Sequence, residues 1–168
     1  MTTFRLPILG WATLPDTSGS VFCEPQSVKA TNDVFPQLVW VFNDTATRIG
    51  LGGRFTVPKN YVGTAKIIVV WSATATTNNV VWDFEYRGVG GDNAESLDQT
   101  GNQESVTVTD AAPGAAHRRL EASMSLTSSN LAVDDEVEFT LFRDGANASD
   151  TMAAAAMVYA VLFEYADA

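Results

Sequence analysis

Histidine and cysteine are almost missing from this sequence: His117 and Cys23 each stand alone among 168 residues. A single cysteine excludes an intrachain disulfide, and with it a secreted disulfide scaffold, while remaining compatible with a reducing compartment. No histidine or basic residue neighbours Cys23 to hold a thiolate, so it reads as a small buried hydrophobe. A single histidine excludes a multi-histidine metal site within one chain. A Ser-His-Asp arrangement would have to use His117, but this residue is followed by Arg118 and Arg119, and the sequence has no G-x-S-x-G turn. His117 therefore reads as a strand-edge or surface residue.

Positive charge is scarce as well. Ten Lys and Arg face twenty Asp and Glu, a net charge of -10, so the averaged field repels phosphate backbones and anionic lipid heads. Nucleic acid and membrane are not expected partners. The longest apolar run, residues 153–163, falls well short of the roughly 18–20 residues that span a bilayer. The first eleven residues carry one basic residue and a short apolar patch broken by Pro7, which does not make a secretory signal. A soluble chain is expected. Charged residues make up 18%, below the roughly 25% of ordinary domains, and small neutral polar residues take their place, a surface suited to packing against protein.

What is present is strand pattern. Residues 65–87 read as two strands joined by a polar turn. In the first, Ile67, Val69, Trp71 and Ala73 share one face and Ile68, Val70 and Ser72 the other, and both faces are apolar at the centre. In the second, Val80, Trp82, Phe84 and Tyr86 alternate with Val81, Asp83, Glu85 and Arg87, as in a half-buried antiparallel strand. Further strands are predicted at residues 38–42, 48–57, 105–109, 117–126 and from Asp135 through Leu141. Gly50, Gly52 and Gly53 interrupt the second of these and point to a bulge or a close backbone approach. Residues 152–165 mix a run of alanines with strand formers and are read as a last strand. Unbroken alternation would put Ala156, Val158, Ala160, Leu162 and Glu164 on one face, with Met157, Tyr159, Val161, Phe163 and Tyr165 on the other. Both faces are apolar, so one is assigned to the core and the face of Val158, Ala160 and Leu162 to a neighbouring subunit.

About eight strands at this spacing predict an all-β, antiparallel β-sandwich of the jelly-roll type. Residues 26–168 are read as a single domain. Residues 1–25, with Pro7, Pro15 and Pro25 among Phe4, Leu6, Ile8, Trp11, Val21 and Phe22, are read as an extended arm. The arm lays its apolar residues either on a partner or on its own domain.

Candidate chemistry is thin. Asp83 and Glu85 share a strand face and could in principle form a glycosidase pair, but a solvated outer face explains them better. Residues 88–104 form a long loop in which Asp92, Asn93, Glu95 and Asp98 offer oxygens to a cation, as do Asp144, Asn147 and Asp150 elsewhere; neither set has EF-hand spacing. Trp11, Trp40, Trp71 and Trp82 are candidates for a sugar-stacking platform, although the last three sit in strong strand patterns that favour core packing. No catalytic, cofactor-binding or metal-binding residue is assigned, and no enzyme activity is expected.

The strand AKIIVVWSA, the strand Trp82-Asp83-Phe84-Glu85-Tyr86, the turn LAVDDEV at residues 131–137, the segment FTLFRDG and the closing VYAVLFEY together resemble the small jelly-roll domains of tailed-bacteriophage virions. The resemblance covers about residues 60–168. It implies a virion location after synthesis in the host cytoplasm, a homotrimer, and a role as a capsid decoration or cement protein that binds the major capsid protein or another virion protein. On that reading Phe4, Leu6, Ile8 and Trp11 are the partner-binding arm. The alternative is a receptor-binding fibre head or carbohydrate-binding module that holds glycan through the loop at residues 88–104.

Overall fold

The computed structural model describes residues 2–14, 23–29, 32, 35–92 and 94–167. Pro15, Val21 and Phe22 of the expected arm, and Asn93, lie outside the described residues. The described residues form eleven strands in two antiparallel sheets: β1 (Thr3–Pro7), β2 (Ala12–Leu14), β3 (Glu24–Val28), β4 (Gln37–Phe42), β5 (Arg48–Thr56), β6 (Tyr61–Ala73), β7 (Asn79–Val89), β8 (Gln103–Ala111), β9 (Leu120–Ser125), β10 (Glu136–Asp144) and β11 (Ala156–Asp167). One sheet has the order β3-β4-β11-β6-β9, with β1 also paired to β11, and the other has the order β2-β5-β10-β7-β8. From β4 to β11 only the β7–β8 link stays within a sheet; every other link crosses between sheets. This is the jelly-roll wiring expected from the sequence, with β1, β2 and β3 added to it.

Alternation sets the core. Ile67, Val69 and Trp71 of β6, Trp82 and Phe84 of β7, Val137, Phe139 and Leu141 of β10, and Ala122 and Met124 of β9 meet between the sheets. Trp82 stands edge-on to both Trp71 and Phe42, with ring centroids 5.8 and 5.2 Å apart. Trp71 is fully buried and its Nε1 donates to Asp110 at 2.8 Å, which meets the cost of placing an indole N–H inside.

The glycines of β5 mark close approach and not a bulge, since β5 and β10 run in unbroken register. A Cβ on Gly50 would lie 2.5 Å from Cδ1 of Phe142. Only glycine leaves room there for the phenylalanine ring.

Two expectations change at the ends of the chain. β11 carries a register shift between Val158 and Ala160, so Tyr159 is an extra residue and the alternation changes phase there. Ala156 and Val158 face the core together with Val161, Phe163 and Tyr165, whereas Ala160, Leu162 and Glu164 face outward. Val158 is fully buried in the core of this chain and so is not on a face open to a neighbouring subunit. The expected face of Val158, Ala160 and Leu162 is therefore divided, because strict period-two counting does not see a bulge.

The amino-terminal segment is part of the sandwich. β1 pairs with β11 residue by residue from Thr3↔Ala166 to Pro7↔Leu162, and β2 pairs with β5 on the other sheet. The boundary expected between residues 25 and 26 falls inside β3. Phe4 stacks on Tyr165 at 6.0 Å, and Ile8 is 2% exposed within the core. Burying an isoleucine contributes roughly 1.5–3 kcal/mol, enough to anchor a short strand. Arg5 adds a clasp over the outer surface, with Nε on Glu164 at 2.7 Å and Nη1 on Glu121 at 2.9 Å.

Candidate binding site

Between β1 and β4 the first sheet is incomplete. β4 covers β11 at Ala156, Met157 and Val158, and β1 covers it at residues 162–166, so neither pairs with the bulge at Tyr159. Residues 8–11 leave the first sheet there and cross toward the second. The result is a cleft of about 480 Å³ lined by Ile8, Leu9, Gly10, Trp11, Leu38, Trp40, Tyr159 and neighbouring residues. Gly10 has φ +81°, a backbone turn that suits glycine as the chain changes sheets.

Three aromatic side chains line this cleft. Trp11 and Trp40 lie 6.1 Å apart between centroids and are tilted by 44°. Tyr159 is fixed by a 2.9 Å hydrogen bond between its hydroxyl and that of Ser72. Trp11 Nε1 is buried without a hydrogen-bond partner. At the rim, Leu9 and Leu38 are 78% and 82% exposed. Among the sequence candidates for a stacking platform, Trp11 and Trp40 come together here, while Trp71 and Trp82 are fully buried in the core. Tyr159 was missed because its place depends on the bulge.

Of the residues expected to reach a partner, Ile8 is in the core and Trp11 is in the cleft wall, half-buried. Phe4 and Leu6 remain 42% and 39% exposed on β1. Ala160 lines the cleft and Leu162 pairs with Pro7 of β1.

Several of the remaining candidates are engaged structurally, while Asp144 Oδ1 is buried without a hydrogen-bond partner. Arg48 reaches from β5 across Phe142, with its guanidinium carbon 4.2 Å from the ring centroid, and pairs with Asp83 at 3.1 Å and Glu85 at 2.8 Å. Asp83 also accepts from the Thr107 hydroxyl at 2.6 Å. The paired carboxylates thus form an ion-paired belt on the outer face of the second sheet. In the loop after β7, Glu95 accepts from Gly90 N, Gln99 Nε2 and Asn102 Nδ2 at 2.8, 3.0 and 3.3 Å, and the Gly90 bond leads in holding its carboxyl below the usual value. Asp150 is taken by Arg143. Among the described residues no three His, Cys, Asp or Glu side chains converge as a metal site would require. His117 is an exposed turn residue with φ +64° whose N–H donates to Ala73 O at 2.9 Å. Cys23 is fully buried, and burial, with a smaller push from Glu24, moves its thiol up to about 12. Among the described residues no helix is long and apolar enough to cross a membrane.

No protein-family model and no curated protein matches the chain. Solved structures similar to it include the CBM22-1 xylan-binding domain of Paenibacillus barcinonensis Xyn10C, at 13% identity and TM-score 0.49 over 95% of this chain and 87% of that one. The CBM35 of Cellvibrio japonicus Abf62 has 10% identity and TM-score 0.45 over 99% of each chain. CsCBM6-3 of Clostridium stercorarium, solved with cellobiose, has 10% identity and TM-score 0.45 over 95% and 92%. At such overlap these likenesses assign no ligand; the fold stands on the strand order itself.

Proposed function

We propose that this chain is a non-catalytic binding module whose ligand, a glycan, seats in the cleft of Trp11, Trp40 and Tyr159. The observation that carries the reading is the meeting of these three aromatic side chains in one cleft of about 480 Å³, within the range of small-ligand sites. Sugar rings present C–H faces that pack on aromatic faces. The test is a glycan array followed by calorimetry on any hit, with Trp40→Ala as the variant and thermal melting as the folding control. Loss of about tenfold or more in affinity on removing the ring supports the reading. A blank array, or a hit that Trp40→Ala leaves unchanged, overturns it.

Leu9 and Leu38, so fully exposed at the rim, favour a second reading in which the cleft takes an apolar anchor from another protein. That is the contact needed by a virion decoration protein or fibre head, assembled as a homotrimer of the 18.0 kDa chain on a phage particle. Leu38→Ser should then abolish binding to particles without loss of fold, and light scattering should return three times the chain mass. Unchanged particle binding and a monomeric mass would set this second reading aside.

A further inference from the structure

We propose that the outer face of the second sheet holds a separate binding site, for an uncharged polyhydroxylated chain. Two adjoining cavities of about 260 and 330 Å³ open on that face, both lined by Glu85, Tyr86 and Gln103. Register explains them. Ser105 of β8, Glu85 of β7 and Thr140 of β10 stand opposite one another in one cross-strand row, and Gln103, Arg87 and Glu138 form the next. Short side chains at Ser105 and Thr140 leave a hollow beside the long ones.

The charges in this hollow are already paired within the chain. Arg87 holds Glu138 at 2.6 Å and Gln99 O at 2.9 Å, and Arg48 holds Glu85 at 2.8 Å. An ionic ligand would have to compete with one of these pairs. Unused capacity lies instead in neutral groups at the surface: Gln103 and Ser105 are exposed on β8, where the amide and the hydroxyl have no side-chain partner among the described residues. Amides and hydroxyls both donate and accept, which matches ligand hydroxyls. The row from Ser105 to Thr140 crosses three strands, roughly 10 Å, so that successive hydroxyls of an extended chain meet successive strands. This face is distinct from the aromatic cleft and the inference does not rest on it.

The test is amide-shift mapping of the full chain titrated with linear hexasaccharides of glucose, mannose and xylose, and with a hexauronide as the charged comparison. A neutral probe should shift the amides of β7, β8 and β10 around Gln103, Ser105 and Thr140. The double variant Gln103→Ala, Ser105→Ala, at two exposed positions, should weaken that binding by about tenfold or more, while Trp40→Ala should leave it unchanged. Shifts confined to Trp11, Trp40 and Tyr159 would overturn this inference and leave the cleft reading standing. Shifts confined to the second sheet would do the reverse. No shift at either place overturns both, and a preference for the uronide overturns the neutral ligand.

Discussion

Arg143 and Asp150 form a two-point ion pair inside the sandwich, with Nε 3.0 Å from Oδ2 and Nη2 2.7 Å from Oδ1 and the two side chains 0% and 1% exposed. The same guanidinium donates to the carbonyls of Phe42, Ala154 and Met152, and Asp150 accepts from Val81 N. A charge this deep is tolerable only because its donors are matched. The pair therefore fixes the link from β10 to β11 against β4 and β7.

Asp150→Ala should cost about 3–5 kcal/mol, because it leaves the Arg143 charge buried and half-matched. Arg143→Lys should cost a comparable amount, since an ammonium cannot reach the spread of acceptors that the planar fork reaches. Urea unfolding at neutral pH measures both. A loss below about 1 kcal/mol for either would contradict the assigned role.

Gly50→Ala should destabilise by about 1–3 kcal/mol through collision with the Phe142 ring and with the Leu141 carbonyl oxygen, 2.6 Å from the added Cβ. The ring carries the Arg48 guanidinium, so displacing it also loosens the ties to Asp83 and Glu85. Phe142→Ala in the same chain should make the alanine at position 50 less costly than it is alone, and a double-mutant cycle reads that coupling. Strict additivity would place the collision at the Leu141 carbonyl alone.

Acid should weaken the fold through three carboxylates held below their ordinary value of 4.5. At Glu104 burial opposes ionisation, but hydrogen bonds from Tyr86 and Thr127 outweigh it; at Glu121 burial is likewise outweighed, by Arg119 and Arg5; at Glu95 the Gly90 bond dominates. A depressed folded-state pKa gives stability that is present above the unfolded value and lost as pH falls through the folded one. Melting temperature should be flat from neutral pH down to about 4.5 and fall below it. Glu104→Gln should shrink that fall; an identical acid limb in this variant would remove Glu104 from the account.

Cys23 should resist thiol reagents in the native chain at pH 8, since the thiolate is the reactive form and burial disfavours it. One equivalent should react in guanidinium chloride. Rapid native labelling would mean that the surrounding segment opens readily.

The sandwich class was legible because alternation is a local signal: Val137, Phe139 and Leu141 point inward by counting alone. The place of Val158 was not, because a bulge depends on which neighbours β11 must satisfy, β4 along one stretch and β1 along another. The arm's placement was open for a related reason. Phe4, Leu6, Ile8 and Trp11 have the same composition whether they serve a partner or a home sheet, and only the empty edge of β11 decides. The two tryptophans of the cleft were recognisable as candidates, whereas their third partner, Tyr159, was brought to them by that bulge. Arg143 gave no signal beyond an odd charge at an inward position.

The pairing of β1 with β11 brings the described ends of the chain together, and Asp167 N donates to Thr2 O at 2.9 Å. Anything appended before residue 2 or after residue 167 leaves the molecule from one spot. A short linker joining those positions should allow new termini to be cut in an exposed loop such as that near Gly101, with the strand order kept intact. The jelly roll is, in effect, nearly a closed ring of chain, and a display scaffold built on it would present a fusion at either end with the same orientation.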